Sequence, residues 1–201
     1  AAWRRGTSLD VGSLTFSLFM WSLPTFFLAI LLLVFGANYL GLPTAGKETI
    51  GVTYDSWWEE LADILRHLAM PTLAFTLVLL GEYMLIMRSS VLDVFSEDYI
   101  LTAKAKGLST FQIIKDHALR NAMLPMVALI AINLAFTVSG AIQVEEVFSW
   151  PGIGNLTVEA ISERDYPVLQ GAFLLIAVAV VIANLIADLI LGWLDPRVTS
   201  A

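Results

Sequence analysis

The chain has no cysteine and little charge: only 14% of its 201 residues are Asp, Glu, Lys or Arg. Without thiols there is no disulfide scaffold, no zinc ribbon and no thiol redox chemistry. Soluble domains carry about 25% charged residues, so this inventory cannot build a water-facing surface of ordinary size. Bases are scarcer than acids, 11 against 18 for a net charge of −7, whereas a nucleic-acid binder needs a basic patch or stripe. Histidine occurs only at His67 and His117, so local spacing gives no two-histidine metal site. Motifs for phosphate cradling, HExxH metal catalysis and Gly-x-Ser-x-Gly acyl transfer are all missing. The chain is therefore not read as an enzyme, and it carries neither a metal nor a cofactor of its own. It starts Ala1-Ala2-Trp3-Arg4-Arg5, with no initiator Met and no basic-then-apolar leader. That start reads as part of something longer.

Apolar residues, in contrast, make up 58% of the chain, with six Trp, and the mean hydropathy is +0.78. They gather in four stretches: Leu14 to Ala37, Leu68 to Met87, Ala122 to Gln143, and Val168 to Trp193. At 1.5 Å per residue, stretches of about 20 to 25 residues reach roughly 30 to 37 Å, enough to cross a hydrocarbon core of about 30 Å. A soluble bundle would need polar stripes along each helix, and Leu28 to Phe35 and Ala172 to Ala183 have none. The expected class is an all-α, polytopic membrane protein, one transmembrane domain over 1–201.

Placement of the bases sets the expected orientation. Arg88, Lys104, Lys106, Lys115 and Arg120 fall between the second and third stretches, Arg4 and Arg5 precede the first, and Arg197 follows the last. Segments 38–67 and 144–167 are instead mainly acidic. The positive-inside rule then puts loop 88–120 and both termini in the cytoplasm and the two acidic loops outside. Trp57, Trp58 and Trp150 are available as interfacial aromatics.

The inner loop has internal structure. Ser96 to Lys106 reads as a short helix that Gly107 interrupts, and Ser109 with Gln112 matches a capping box that opens a second helix. Outside, Trp150-Pro151-Gly152-Ile153-Gly154 forces a turn, a short helix follows over Asn155 to Ile161, and Asp165-Tyr166-Pro167 starts the last span. Within the spans the polar members are Glu82, Asn133, Asn184 and Asp188. An acid at mid-bilayer costs about 2.5 to 3.5 kcal/mol on insertion scales, so these side chains should face a partner helix, a wet path or the headgroups.

Residues 98–125, DYILTAKAKGLSTFQIIKDHALRNAMLP, resemble the cytoplasmic "EAA" loop of permease subunits from binding-protein-dependent ABC importers, in the form of the dipeptide, oligopeptide and nickel group. Leu101-Thr102-Ala103 stands where the general pattern has Glu-Ala-Ala, so the acid is absent. Thr102, Ala103, Ala105 and Gly107 form the run that replaces it in the peptide-type branch. Glu146 to Gly154, then Ala160-Ile161, Arg164 to Pro167 and Asp195-Pro196-Arg197, are similar to further segments of that group. Ser22 to Phe26 and Leu42 to Gly46 look more like the B-type permease than the C-type.

The resemblance implies a type I importer transmembrane domain whose four spans correspond to the last four of six, with two helices preceding them. It implies a C-type second permease, two ATP-binding subunits that hold ATP and Mg2+, and an extracytoplasmic solute-binding protein. Leu101, Thr102, Ala103, Lys104, Ala105, Lys106, Gly107, Leu108, Ser109 and Thr110 would form the helix that couples to an ATPase. Trp150, Pro151, Gly152, Gly154 and Asp165 would sit in the outer loop that caps the path. Peptides lead as cargo, with nickel complexes and oligosaccharides as alternatives. A scaffold subunit without a path shares the same helices. The orientation has a direct check: a membrane-impermeant thiol reagent should label Lys106→Cys in inverted vesicles and not in intact cells.

Overall fold

The computed structural model describes residues 5–138 and 142–194. Every regular element among them is helical. In chain order these are α1 (Ser8–Ser22), α2 (Thr25–Leu40), α3 (Trp57–Phe95), α4 (Asp98–Ala105) and α5 (Thr110–Ala122). They continue as α6 (Leu124–Val138), α7 (Ile142–Val147), α8 (Ile153–Glu163) and α9 (Tyr166–Leu194). Arg4 and the Asp195-Pro196-Arg197 run lie outside the described residues.

Trp57–Phe95 and Tyr166–Ile190 are each long and apolar enough to cross a membrane. The count reaches four if the bent pairs α1–α2 and α5–α6 each make one span. Proline explains both breaks. The stretch 14–37, read as one span, is two helices because Pro24 drives the residue before it out of the helical region. Pro24 itself is extended, at φ −58 and ψ 133, and its carbonyl accepts from the Phe27 and Leu28 amides at 3.0 and 3.1 Å. Pro125 stands at the second position of α6, where α5 and α6 bend by 45°. Its missing N–H costs least in a first turn. Pro71 is different: it lies inside α3 without ending it, removing one backbone bond that a membrane helix tolerates. The 39 residues of α3 reach about 58 Å, so the apolar stretch 68–87 is only its middle.

The chain forms two compact units. One comprises the described residues 5–21, 80–134 and 181–194. Here α1 meets α3 at Gly81: a Cβ on Gly81 would stand 2.8 Å from the Ser17 carbonyl oxygen and 3.0 Å from the Trp21 nitrogen. Close backbone approach through small residues is how helices associate in lipid, where burial of apolar surface drives little.

The other unit comprises 22–79, 135–138 and 142–180. Ala29, Met70, Ala74, Val144 and Phe148 form its core, and the Gly46 amide donates to the Phe148 carbonyl at 2.9 Å. Asp63 ties the preceding loop to α3, accepting from the Thr49 amide at 2.7 Å, the Thr49 hydroxyl at 2.9 Å and the Tyr54 hydroxyl at 2.6 Å. His67 is buried. Its Nδ1 lies 2.9 Å from the Asp63 carbonyl oxygen, which only accepts, so that nitrogen carries the proton.

Two outcomes follow. Gly81→Ala should lower stability by about 1 to 3 kcal/mol, the range for overpacking, read as a lower thermal midpoint in detergent. The Asp63 carboxylate holds the Tyr54 phenol above its ordinary value. The tie is therefore intact below about pH 10 and is lost as pH rises through the higher value. Ultraviolet titration should show a late tyrosinate component that disappears in Tyr54→Phe.

Candidate functional site

The inner loop folds into a closed elbow. Ile100 and Ala103 of α4 face inward onto Ile113, Ala118, Val94, Phe95 and Leu108. Thr102, Lys104, Ala105 and Lys106 face out, and Leu101 and Phe111 are 56% and 72% exposed. Asp98 in the first turn and Lys104 in the last complement the helix dipole.

The bend is built from backbone bonds. Gly107 has φ +75. Its amide donates to the Lys104 carbonyl at 3.0 Å, and the Leu108 amide reaches the Ala103 carbonyl at 3.3 Å. Those two bonds make a Schellman stop, with Leu108 packing back on the cluster of Ile100, Ala103, Ile113 and Ala118. A Cβ on Gly107 would meet nothing within 4 Å, so glycine is needed for its backbone angle and not for space. Ser109 restarts the helix with the expected box. Its amide donates to Gln112 Oε1 at 2.9 Å, and the Gln112 amide donates back to its hydroxyl at 3.4 Å. Asn121 Nδ2 donates to the Tyr99 hydroxyl at 2.7 Å and joins the two arms.

One feature of the elbow escapes pattern reading. Residues Ile113–Ala118 form a π-helical turn inside α5, where a plain α-helix was expected. Residues five apart stand about 140° around an α-helix. Bonding from i to i+5 brings them back onto one face, so Ile113 and Ala118 both enter the core, at 1% exposure each.

Beside the elbow, Arg88 is an ion-pair partner as well as a loop base. Its Nε and Nη2 donate to the two Asp10 carboxylate oxygens at 2.8 and 2.9 Å, and the Gly6 amide adds a third bond at 3.1 Å. Asp10 is 2% exposed. Sequence reasoning counted Arg88 and passed over Asp10. The signal was an acid just before one apolar stretch and a base just after another. A cavity of about 470 Å3 adjoins the pair, lined by Ser17, Tyr83, Met87, Phe95 and Leu119 among others.

Of the four intramembrane polar residues, two come together. Asn133 Nδ2 donates to Glu82 Oε2 at 3.2 Å and to the Tyr83 hydroxyl at 3.3 Å. Asn184 and Asp188 stand exposed on α9.

The outer turn is organised by a residue outside the quoted motif, Glu145. The Trp150 amide donates to its carbonyl at 2.8 Å, and its carboxylate accepts from the Asn155 amide at 3.0 Å. It thus stands at the N-terminus of α8, where a negative charge is favoured. Gly152 and Gly154 leave room for it: a Cβ on Gly152 would run into the Glu145 carboxylate, and one on Gly154 would stand 2.8 Å from the Ile142 Cα. Pro151 is exposed and Trp150 partly so. Asp165 caps α9, accepting from the Val168 amide at 3.1 Å. Among the described residues no group of three metal-ligating side chains converges. What the arrangement offers chemically is hydrogen-bonded corners with exposed outer faces.

Residues 1–200 match the family described as binding-protein-dependent transport system inner membrane component. The dipeptide transport system permease protein DppB of Haemophilus influenzae (strain ATCC 51907 / DSM 11121 / KW20 / Rd) is 39% identical over 195 residues, covering 90% of this chain and 59% of that protein. DppB of Escherichia coli (strain K12) is 35% identical over 215 residues, 98% of this chain and 63% of its own. The di/tripeptide transport system permease protein DppB of Pseudomonas aeruginosa (strain UCBPP-PA14) is 34% identical over 212 residues, 98% and 63%. The chain spans about three fifths of the length of these curated relatives.

Removing one partner of a buried, hydrogen-bonded ion pair leaves the other charge uncompensated. Arg88→Ala should therefore lower the thermal midpoint in detergent by more than Lys106→Ala, which deletes an exposed charge.

Proposed function

The chain belongs to the family of inner membrane components of binding-protein-dependent transport systems, and from that membership we propose that it forms half of the translocation path of an ATP-driven importer of di- or oligopeptides. The observation that carries the reading is the elbow: a short helix stopped at Gly107, rebuilt at Ser109, and packed so that its outer face is free. Leu101 to Thr110 seat in a groove of a cytoplasmic ATPase, which holds ATP and Mg2+. The bend passes ATPase motion into α3 and α5, because a hydrogen-bonded corner transmits displacement that a slack loop would absorb. Nucleotide binding and hydrolysis then shift the permease between inward-open and outward-open populations.

In this reading the partners are a C-type permease, two ATP-binding subunits and an extracytoplasmic solute-binding protein. The basic loop and flanks support cytoplasmic termini. The turn from Trp150 to Gly154, with Asp165, caps the outer end of the path, and its tight packing about Glu145 supports that role. The relatives named as dipeptide and di/tripeptide permeases support peptide cargo.

The test is Gly107→Val in the complete transporter reconstituted in vesicles. A β-branched residue in the left-handed region costs about 1 to 2 kcal/mol, a factor of roughly 5 to 30 against the native bend, so coupling should fall with it. The expected result is loss of solute-stimulated ATP hydrolysis with the unstimulated rate retained. Unchanged coupling overturns the reading, as would crosslinkers at Lys104 and Lys106 that capture an outer protein in place of an ATPase.

A further inference from the structure

Helix α1 buries two residues, and both are polar: Asp10 and Ser17. Leu9 and Val11, on either side of the acid, are 70% and 56% exposed. Apolar side chains thus face out while a carboxylate faces in, the reverse of ordinary core packing. Each buried residue marks a contact with α3. Asp10 meets Arg88, and the Ser17 carbonyl oxygen stands 2.8 Å from where a Cβ on Gly81 would be. From Asp10 to Ser17, and from Arg88 back to Gly81, the chain runs seven residues, about two helical turns. The two helices therefore lie antiparallel in one register, held at two points along one side of each.

The two points differ in kind. At Gly81 backbone rests on backbone, and helices in lipid gain little from burying apolar surface, so that contact can slide. At Arg88 the guanidinium grips both carboxylate oxygens, which fixes distance and orientation together. Parting them would leave two charges uncompensated. The Gly6 amide donates to the same carboxylate and binds the start of α1 into the knot. Two turns beyond Arg88, Val94 and Phe95 of α3 pack on the elbow cluster. We propose that Asp10 and Arg88 are positioning residues for coupling: their pair makes α1 travel with α3, so that displacement delivered at the elbow carries α1 as well. The route runs through α3 because a cavity of about 470 Å3 separates Ser13, Leu14 and Ser17 of α1 from Ile114, Ala118 and Leu119 of α5. This deepens the permease reading and rests on it.

The experiment uses the complete transporter in lipid vesicles. The chain has no cysteine of its own, so spin labels can be placed on Val11→Cys of α1 and Asp116→Cys of the elbow, both exposed positions. Their separation is read by double electron–electron resonance without nucleotide and after trapping with ATP and vanadate. With the ion pair intact the distance should be the same in both states. Asp10→Asn keeps the side chain's size and removes its charge; the distance should then change on trapping, and solute-stimulated ATP hydrolysis should fall about fivefold or more with the unstimulated rate retained. Arg88→Lys, which keeps the charge without the two-pronged grip, should give an intermediate loss. A distance that changes between states while the pair is intact overturns the proposal, and that reading needs no altered pair to fold. Full stimulation in Asp10→Asn overturns it too. Gly107→Val is assayed alongside. If it uncouples while Asp10→Asn does not, this inference falls and the permease reading survives; if Gly107→Val stays coupled, the permease reading falls.

Discussion

Backbone hydrogen bonding at helix ends is the constraint on which this structure turns. A helix that stops beside a membrane holds a fixed corner when the amides and carbonyls it frees find partners in the chain itself and not in water. Among the described residues, several interruptions supply them within a few residues. The α4 carbonyls are closed by the Gly107 and Leu108 amides, the α5 amides by Ser109 and Gln112, and the α9 amides by Asp165. At α8 the partner comes from farther away, in Glu145. The corners are consequently stiff.

Side-chain polarity obeys the same economy. Asp10 and Arg88 neutralise one another beside the elbow, and Glu82 shares the Asn133 amide with Tyr83. Both arrangements keep charge or amide dipoles inside this chain's own packing. Asn184 and Asp188 are the contrast: both are exposed on α9.

Much of this was legible in residue order. Runs such as Leu28 to Phe35 announce helices that face lipid, and Ser109 with Gln112 announces a cap, because both signals are local. Gly107 was legible for the same reason: its left-handed backbone is a one-residue requirement. The Asp10–Arg88 pair was not, since its partners stand 78 positions apart and no periodicity connects them. Nor was the role of Glu145, which depends on two glycines leaving space for a carboxylate ten residues from the amide it accepts. The stretch 14–37 reads differently at two levels: its apolar composition runs on through Pro24, while backbone sterics break the helix there.

The wide turn from Ile113 to Ala118 also bears on how such chains diverge. A loop that gains or loses a residue usually absorbs the change as slack, but a helix that does so rotates everything beyond it by about 100°. Here one surplus residue is already stored as a bulge. Shortening the segment by a single codon would trade the bulge for a plain helix, with the helix on either side keeping nearly its present facing. A one-residue deletion at this turn would therefore be absorbed, where the same change elsewhere in the helix would turn an exposed face away from whatever it meets.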